Sequence, residues 1–175
     1  MFLLFERMFT FSDLITNAMK TLKLIGITLF VLVILIIGFA KMERIAPLSM
    51  VDKDDLNVGL FSNVVINGYD AVSYHTQNKA LAGQDDIYSE WHGGKWLFSS
   101  PENKDLFDSH PEQYAPIFGG YCVYAITKGV TANTDPEIFE IIDGQLILFA
   151  AEDVHVEWMK DPSGNLEVCS SNWNE

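Results

Sequence analysis

WHGGKWLFSSPENKDLFDSHPEQYAPIFGGYC, running from Trp91 to Cys122, decides the fold of this chain. Two aromatic-rich runs, Ile87 to Trp91 and Lys95 to Phe98, flank His92-Gly93-Gly94. Glycine tolerates the positive φ of a tight turn, so the pattern predicts a β-hairpin. Ser99 or Ser100 then caps a helix with Pro101 in its first turn, and Glu102 and Asp105 complement the dipole near its start. Leu106 and Phe107 give this helix its apolar side, and His110-Pro111 ends it. Pro111 starts a short turn through Tyr114, and Gly119-Gly120 breaks the chain again just before Cys122.

The flanks repeat these signals in other residues. Upstream, Val64-Val65-Ile66 reads as a short strand stopped by Asn67-Gly68, and Asp70 caps a helix over AVSYH that ends before Asn78. Downstream, YCVYAITK predicts a helix over 121–128 closed by Gly129. Ile138 to Ile142, Asp143-Gly144 and Leu146 to Phe149 predict a second hairpin. Glu152 to Lys160 reads as a helix ended by Asp161-Pro162, with a last helix from Asn165 to Trp173. Hairpins interleaved with short helices predict a small α+β domain over 61–175. No internal repeat is visible. The four tryptophans, Trp91, Trp96, Trp158 and Trp173, are expected in the core.

Leu24 to Ala40, LIGITLFVLVILIIGFA, carries no charge and lies between Lys23 and Lys41. No face of such a helix is polar, and with Thr21, Leu22 and Lys23 its length approaches the ~30 Å hydrocarbon core of a bilayer. Residues 21–41 are therefore expected to be an uncleaved single-pass anchor in a lipid bilayer, too long for a signal h-region. Residues 1–20 are expected as an amphipathic or disordered cytoplasmic lead, and 42–60 as a linker. Arg7, Lys20 and Lys23 before the span, against Lys41 and Arg44 after it, put the N-terminus in the cytoplasm. The C-terminal domain is then expected on the outer side of the cytoplasmic (inner) membrane, in the periplasm or outside the cell. From Ile45 onward there are 6 basic and 21 acidic residues. That field repels nucleic acid, which excludes it as a partner.

The run WHGGKWLFSSPENKDLF followed by PEQY resembles the YHS domain. NGYDAVSYHT, YAPIFGGYCVYAITKG, DGQLILF and the final SNW are similar to a bacterial subfamily whose members stand alone behind a signal or anchor. The resemblance covers about Val64 to Trp173. It implies a domain found in heavy-metal transport proteins that binds metal through cysteines. Its usual ligand positions fall on Ser99 and Asn103 here, and a hydroxyl and an amide are poor ligands for soft or borderline metals. The subfamily keeps the cysteine of GGYC, Cys122, where some relatives carry selenocysteine. That implies redox chemistry.

Cys122 sits in the predicted first turn of a helix, where orphan N–H groups and the dipole favour a thiolate. It reads either as a redox or metal-contacting thiol or as a small core residue. His92 and His75, both near the motif run, are the first candidates to join it around a soft or borderline transition metal ion. His110 and His155 complete the four scattered histidines, and no pair has metal-site spacing. Tyr69, Asp70, Tyr121 and Tyr124 flank glycines and are candidate pocket residues or core. Cys122 and Cys169 could form one bridge, which sequence leaves open. No nucleotide, hydrolase or zinc-protease motif occurs. The chain thus reads as a metal- or thiol-handling accessory module with an envelope metal-transport or redox partner. A thiol-dependent enzyme and a structural interaction domain are the alternatives.

Overall fold

The computed structural model describes residues 2–42, 45–51, 55–59 and 61–174. Two compact units result, one up to Ala40 and one from Lys41 onward. The first is a single helix, α1 (Phe2–Met42), which carries the span in one run with the residues expected as a separate lead. Asp13–Ala40 is long and apolar enough to cross a membrane, which fits a single-pass membrane protein. Two hydroxyls in the apolar part bond back within the helix: Thr21 donates to the Asn17 carbonyl and Thr28 to the Leu24 carbonyl, both at 2.9 Å.

The second unit is mixed α and β, as the hairpin and capping signals predict. Its elements are β1 (Ala46–Pro47), α2 (Ala71–Gln77), β2 (Gln84–Trp91), β3 (Gly94–Phe98), α3 (Pro101–Ser109) and α4 (Pro111–Tyr114). They are followed by α5 (Val123–Ile126), β4 (Val130–Thr131), β5 (Asp135–Ile142), β6 (Gln145–Phe149), α6 (Glu152–Trp158) and α7 (Pro162–Asn174). Helix α5 is shorter than the predicted 121–128, because the residues before Tyr121 and after Thr127 form tight turns. Helix α7 begins three residues earlier than expected. Asp161 accepts the Gly164 N–H at 3.1 Å, so Asp161-Pro162 starts a helix as well as ending one.

Described parts of the expected linker belong to the fold. β1 pairs antiparallel with β4, Ala46 opposite Thr131 and Pro47 opposite Val130. Leu48 and Val51 pack on one apolar cluster, and Leu56 and Val58 on another.

The second unit contains one backbone design used twice, although the sequence shows no repeat. The β2–β3 pairing runs Gln84↔Phe98, then Tyr88↔Leu97 through Trp91↔Gly94 after an irregularity. The β5–β6 pairing runs Asp135↔Phe149, then Phe139↔Leu148 through Ile142↔Gln145, so every pair is displaced by 51 residues. The turns match too. His92-Gly93 and Asp143-Gly144 have φ of 50° and 77°, and 52° and 78°. Two successive positive φ values suit the right-handed twist of a two-residue hairpin. Each hairpin is followed by a helix, α3 or α6, and then by a proline-started helix, α4 or α7. Each is preceded by a left-handed turn, at Asn67-Gly68 and at Phe118-Gly119.

Two clusters form the core. Trp96, Phe98, Phe107, Val72 and Tyr74 belong to the first, and Tyr121, Val123, Ile126, Trp158 and Cys169 to the second. Strand β6 serves both: Leu146 and Leu148 enter the first cluster, while Ile147 and Phe149 enter the second. Alternation along a strand makes this possible, and it welds the halves together. Of the four tryptophans, Trp96 and Trp158 are fully buried, while Trp91 and Trp173 are partly so.

Candidate functional site

In the first half, three segments meet at Asp70, which is wholly buried. Its Oδ1 accepts the N–H groups of Val72 at 2.9 Å and Ser73 at 3.3 Å, capping α2. Its Oδ2 accepts the Ser99 N–H at 2.8 Å, the Ser99 hydroxyl at 2.5 Å and the Asn103 side-chain N–H at 2.6 Å. Asn103 also donates to Ser99 Oγ at 3.3 Å. The side-chain oxygen of Asn103, turned inward, would repel the carboxylate, so the amide nitrogen faces it. Charge-assisted bonds of this kind are the strong ones, and burial raises the cost of losing a partner. The carboxylate therefore clasps the end of β3 and the first turn of α3 onto the start of α2.

In the second half, the corresponding region is the loop before α5. Gly119 takes a φ of 64°, and a Cβ there would sit 2.3 Å from the Asp55 carbonyl oxygen. Only glycine lets the 55–57 segment cross so closely. Asn57 fastens that crossing: its N–H donates to Gly119 O at 2.8 Å and its side chain to Gly120 O at 3.1 Å. Cys122 follows as the residue before α5, 2% exposed, with its N–H donated to Ala132 O at 3.0 Å.

Cys169 is the one fully buried residue of α7. Its thiol donates to the carbonyl of Val123, the residue after Cys122, at 3.3 Å. Burial pushes the Cys169 thiol up to about 11, and the neighbouring Cys122 adds to the rise. Trp158 pulls the other way, although its buried indole N–H reaches no partner in hydrogen-bond geometry. Both cysteines are free thiols.

The histidine candidates stand elsewhere. His75 lies on α2, edge-on to the Tyr114 ring at 5.5 Å. Its Nε2 is buried without a partner, and burial lowers its pKa below 6.5. His92 occupies the β2–β3 turn, its ring 4.2 Å from that of Trp91. Cys122, His92 and His75 form no shared ligand set. Among the described residues, no group of three His, Cys, Asp or Glu side chains is placed to hold a metal ion.

The tyrosines also separate. Tyr69 donates to Glu137 at 3.2 Å, a bond that raises its pKa, while the Tyr121 hydroxyl reaches Asp55 at 3.4 Å. Tyr124 lies under the Lys128 ammonium, 4.9 Å from the ring centroid. An open groove of about 540 Å³ runs along residues 132–136, lined also by Ile45, Asn67 and Ala150. Its wall includes Ala132, whose carbonyl holds the Cys122 N–H.

The family signature of the YHS domain matches residues 72–117. A YHS domain lies there. The match begins on α2, takes in the first hairpin and its two helices, and ends at the turn before the second half. Searches of curated proteins and of solved structures return no match. The YHS domain is often linked to metal handling. In this one, the two positions that the resemblance marks as ligands do converge, and they converge on a carboxylate. Asp70 already accepts five hydrogen bonds, and the Ser99 hydroxyl and Asn103 amide act as its donors. Soft or borderline metals take thiolate or imidazole, so this donor set does not fit one.

Proposed function

We propose that the protein is a membrane-anchored accessory module of the GGYC type. Its YHS-containing domain lies outside the inner membrane and handles thiols through Cys122. The supporting observation is a second buried thiol near Cys122: Cys169 donates to the carbonyl of Val123, the next residue along the chain. Cys122 is 2% exposed, so it reacts when its cover lifts. Next to it stand α5, a helix of four residues, and α7, whose one fully buried residue is Cys169. The partner class is a disulfide or thiol of another envelope protein or a small molecule, met by thiolate attack on sulfur.

The test is exchange with an aromatic disulfide that releases a coloured thiolate. The native full chain in detergent releases it, and Cys122→Ser removes the fast phase. Release that is equal in Cys122→Ser, or that waits for global unfolding, overturns the reading and leaves Cys122 as core.

A further inference from the structure

Resting on that reading of Cys122, we propose that Cys169 is its resolving thiol, so that the pair closes a reversible disulfide pinning α7 to α5. Four observations carry this. The chain has two cysteines, 47 residues apart, and the fold buries both, with Cys169 in the second apolar cluster and near enough to Cys122 to feel its charge. The Cys169 sulfur donates to the carbonyl of Val123, the first residue of α5 and the one after Cys122, which brings α7 against the start of α5. Cys169 is the one fully buried residue of helix α7, which is also held by Asn172 and Asn165 donating to the Ile126 and Trp158 carbonyls at 2.8 and 2.7 Å and by partly buried Leu166 and Trp173. Lastly, Trp158, itself 1% exposed, keeps an indole N–H with no partner beside the Cys169 thiol. A buried donor left unpaired is costly, and it gains a partner when the sulfur carries charge.

The chemistry needs an oxidant, which is a low-molecular-weight or protein disulfide. The Cys122 sulfur, as thiolate, attacks it. A bond forms from Cys122 to one sulfur, and the other leaves as a thiolate. Cys169 then attacks the Cys122 sulfur, its proton passing to the departing thiolate while Trp158 donates to the developing charge. The Cys122–Cys169 bond forms and the second small thiolate leaves. Two cysteine thiols are oxidised, and one disulfide is reduced to two thiols. Because burial keeps Cys169 protonated, this second step is the slower one.

The experiment treats the native full chain in detergent with oxidised glutathione. The chain is then denatured, its free thiols alkylated, and the tryptic peptides weighed. The expected product joins the Cys122 and Cys169 peptides, is two hydrogens lighter than the reduced pair, and is reversed by dithiothreitol. Cys169→Ser and Cys169→Ala instead accumulate glutathione on Cys122, which shows that the second thiol resolves the first. Glutathione on Cys122 of the unmutated chain, with Cys169 still alkylated, overturns the pairing while the thiol reading stands. Two alkylated cysteines after exposure to oxidant overturn both.

Discussion

The two hairpin-and-helix halves share a backbone plan and differ in what fastens them. In the first, a buried carboxylate ties the helix before the hairpin to the strand and helix after it. The residues 51 positions on from Asp70, Ser99 and Asn103 are Tyr121, Ala150 and Val154, none of which can rebuild that clasp. The second half packs around Trp158 and Phe149 with Cys169 among them, its polar ties run from Asn165 and Asn172 to backbone carbonyls, and among the described residues it has no buried carboxylate. Each half still links its first strand to its following helix, through Ser89 and Asp108 in one and Glu140 and His155 in the other. One copy of the plan is thus fastened through a buried carboxylate, and the other is not.

The largest test of the comparison is strand β6, which feeds both clusters. Leu148→Ala empties the first cluster and Ile147→Ala the second, each from a site at most 1% exposed. Each is expected to cost about 2–5 kcal/mol. Near- and far-ultraviolet circular dichroism should fall together in denaturant, because the halves share the strand. Separate transitions would show that the halves fold independently.

Next comes the clasp. Asp70→Ala removes a helix cap and strands three buried donors, at an expected cost of about 3 kcal/mol or more. Tyr121→Phe, at the matching place in the second half, should change stability by less than about 1 kcal/mol, since the bond from its hydroxyl to Asp55 is long at 3.4 Å. Thermal melts of the two variants decide whether the polar lock belongs to one half.

Much of the plan was legible because it is local. His92-Gly93 and Asp143-Gly144 announce their turns, and Asp70 announces its helix. The clasp was not legible, because Asp70 meets Ser99 and Asn103 across 29 and 33 residues of chain. Nor was the repeat, since it survives in φ, register and element order while most of the side chains have changed. Composition around 42–60 suggests a solvated tether and carries no sign that Ala46 and Pro47 find β4 through backbone pairing. The thiol pairing depends on how α7 returns to α5, which no spacing encodes.

The matched turns give a smaller effect. Gly93→Ala and Gly144→Ala meet no atom within 4 Å and differ by one degree in φ. Each should cost about 1 kcal/mol, from left-handed strain alone. Unequal melting shifts would show that the two hairpins are not equivalent.

The smallest effect is a pH dependence confined to the first half. Burial lowers the pKa of His75 in the folded state below its usual 6.5. The unfolded chain therefore binds the proton more readily. This contribution is complete above the unfolded value and is lost as pH falls through the lowered folded one. His75→Phe should flatten that part of a stability-against-pH curve, measured by denaturant titration.

Native-state hydrogen exchange of the reduced full chain tests most directly whether the half without the clasp is the half that opens. The account predicts that the Val72, Ser73 and Ser99 amides, which donate to Asp70, exchange only with global unfolding. The amides of α5 and α7 should exchange through a smaller, local opening that uncovers Cys122. Equal protection of both sets, up to the global unfolding limit, would contradict it.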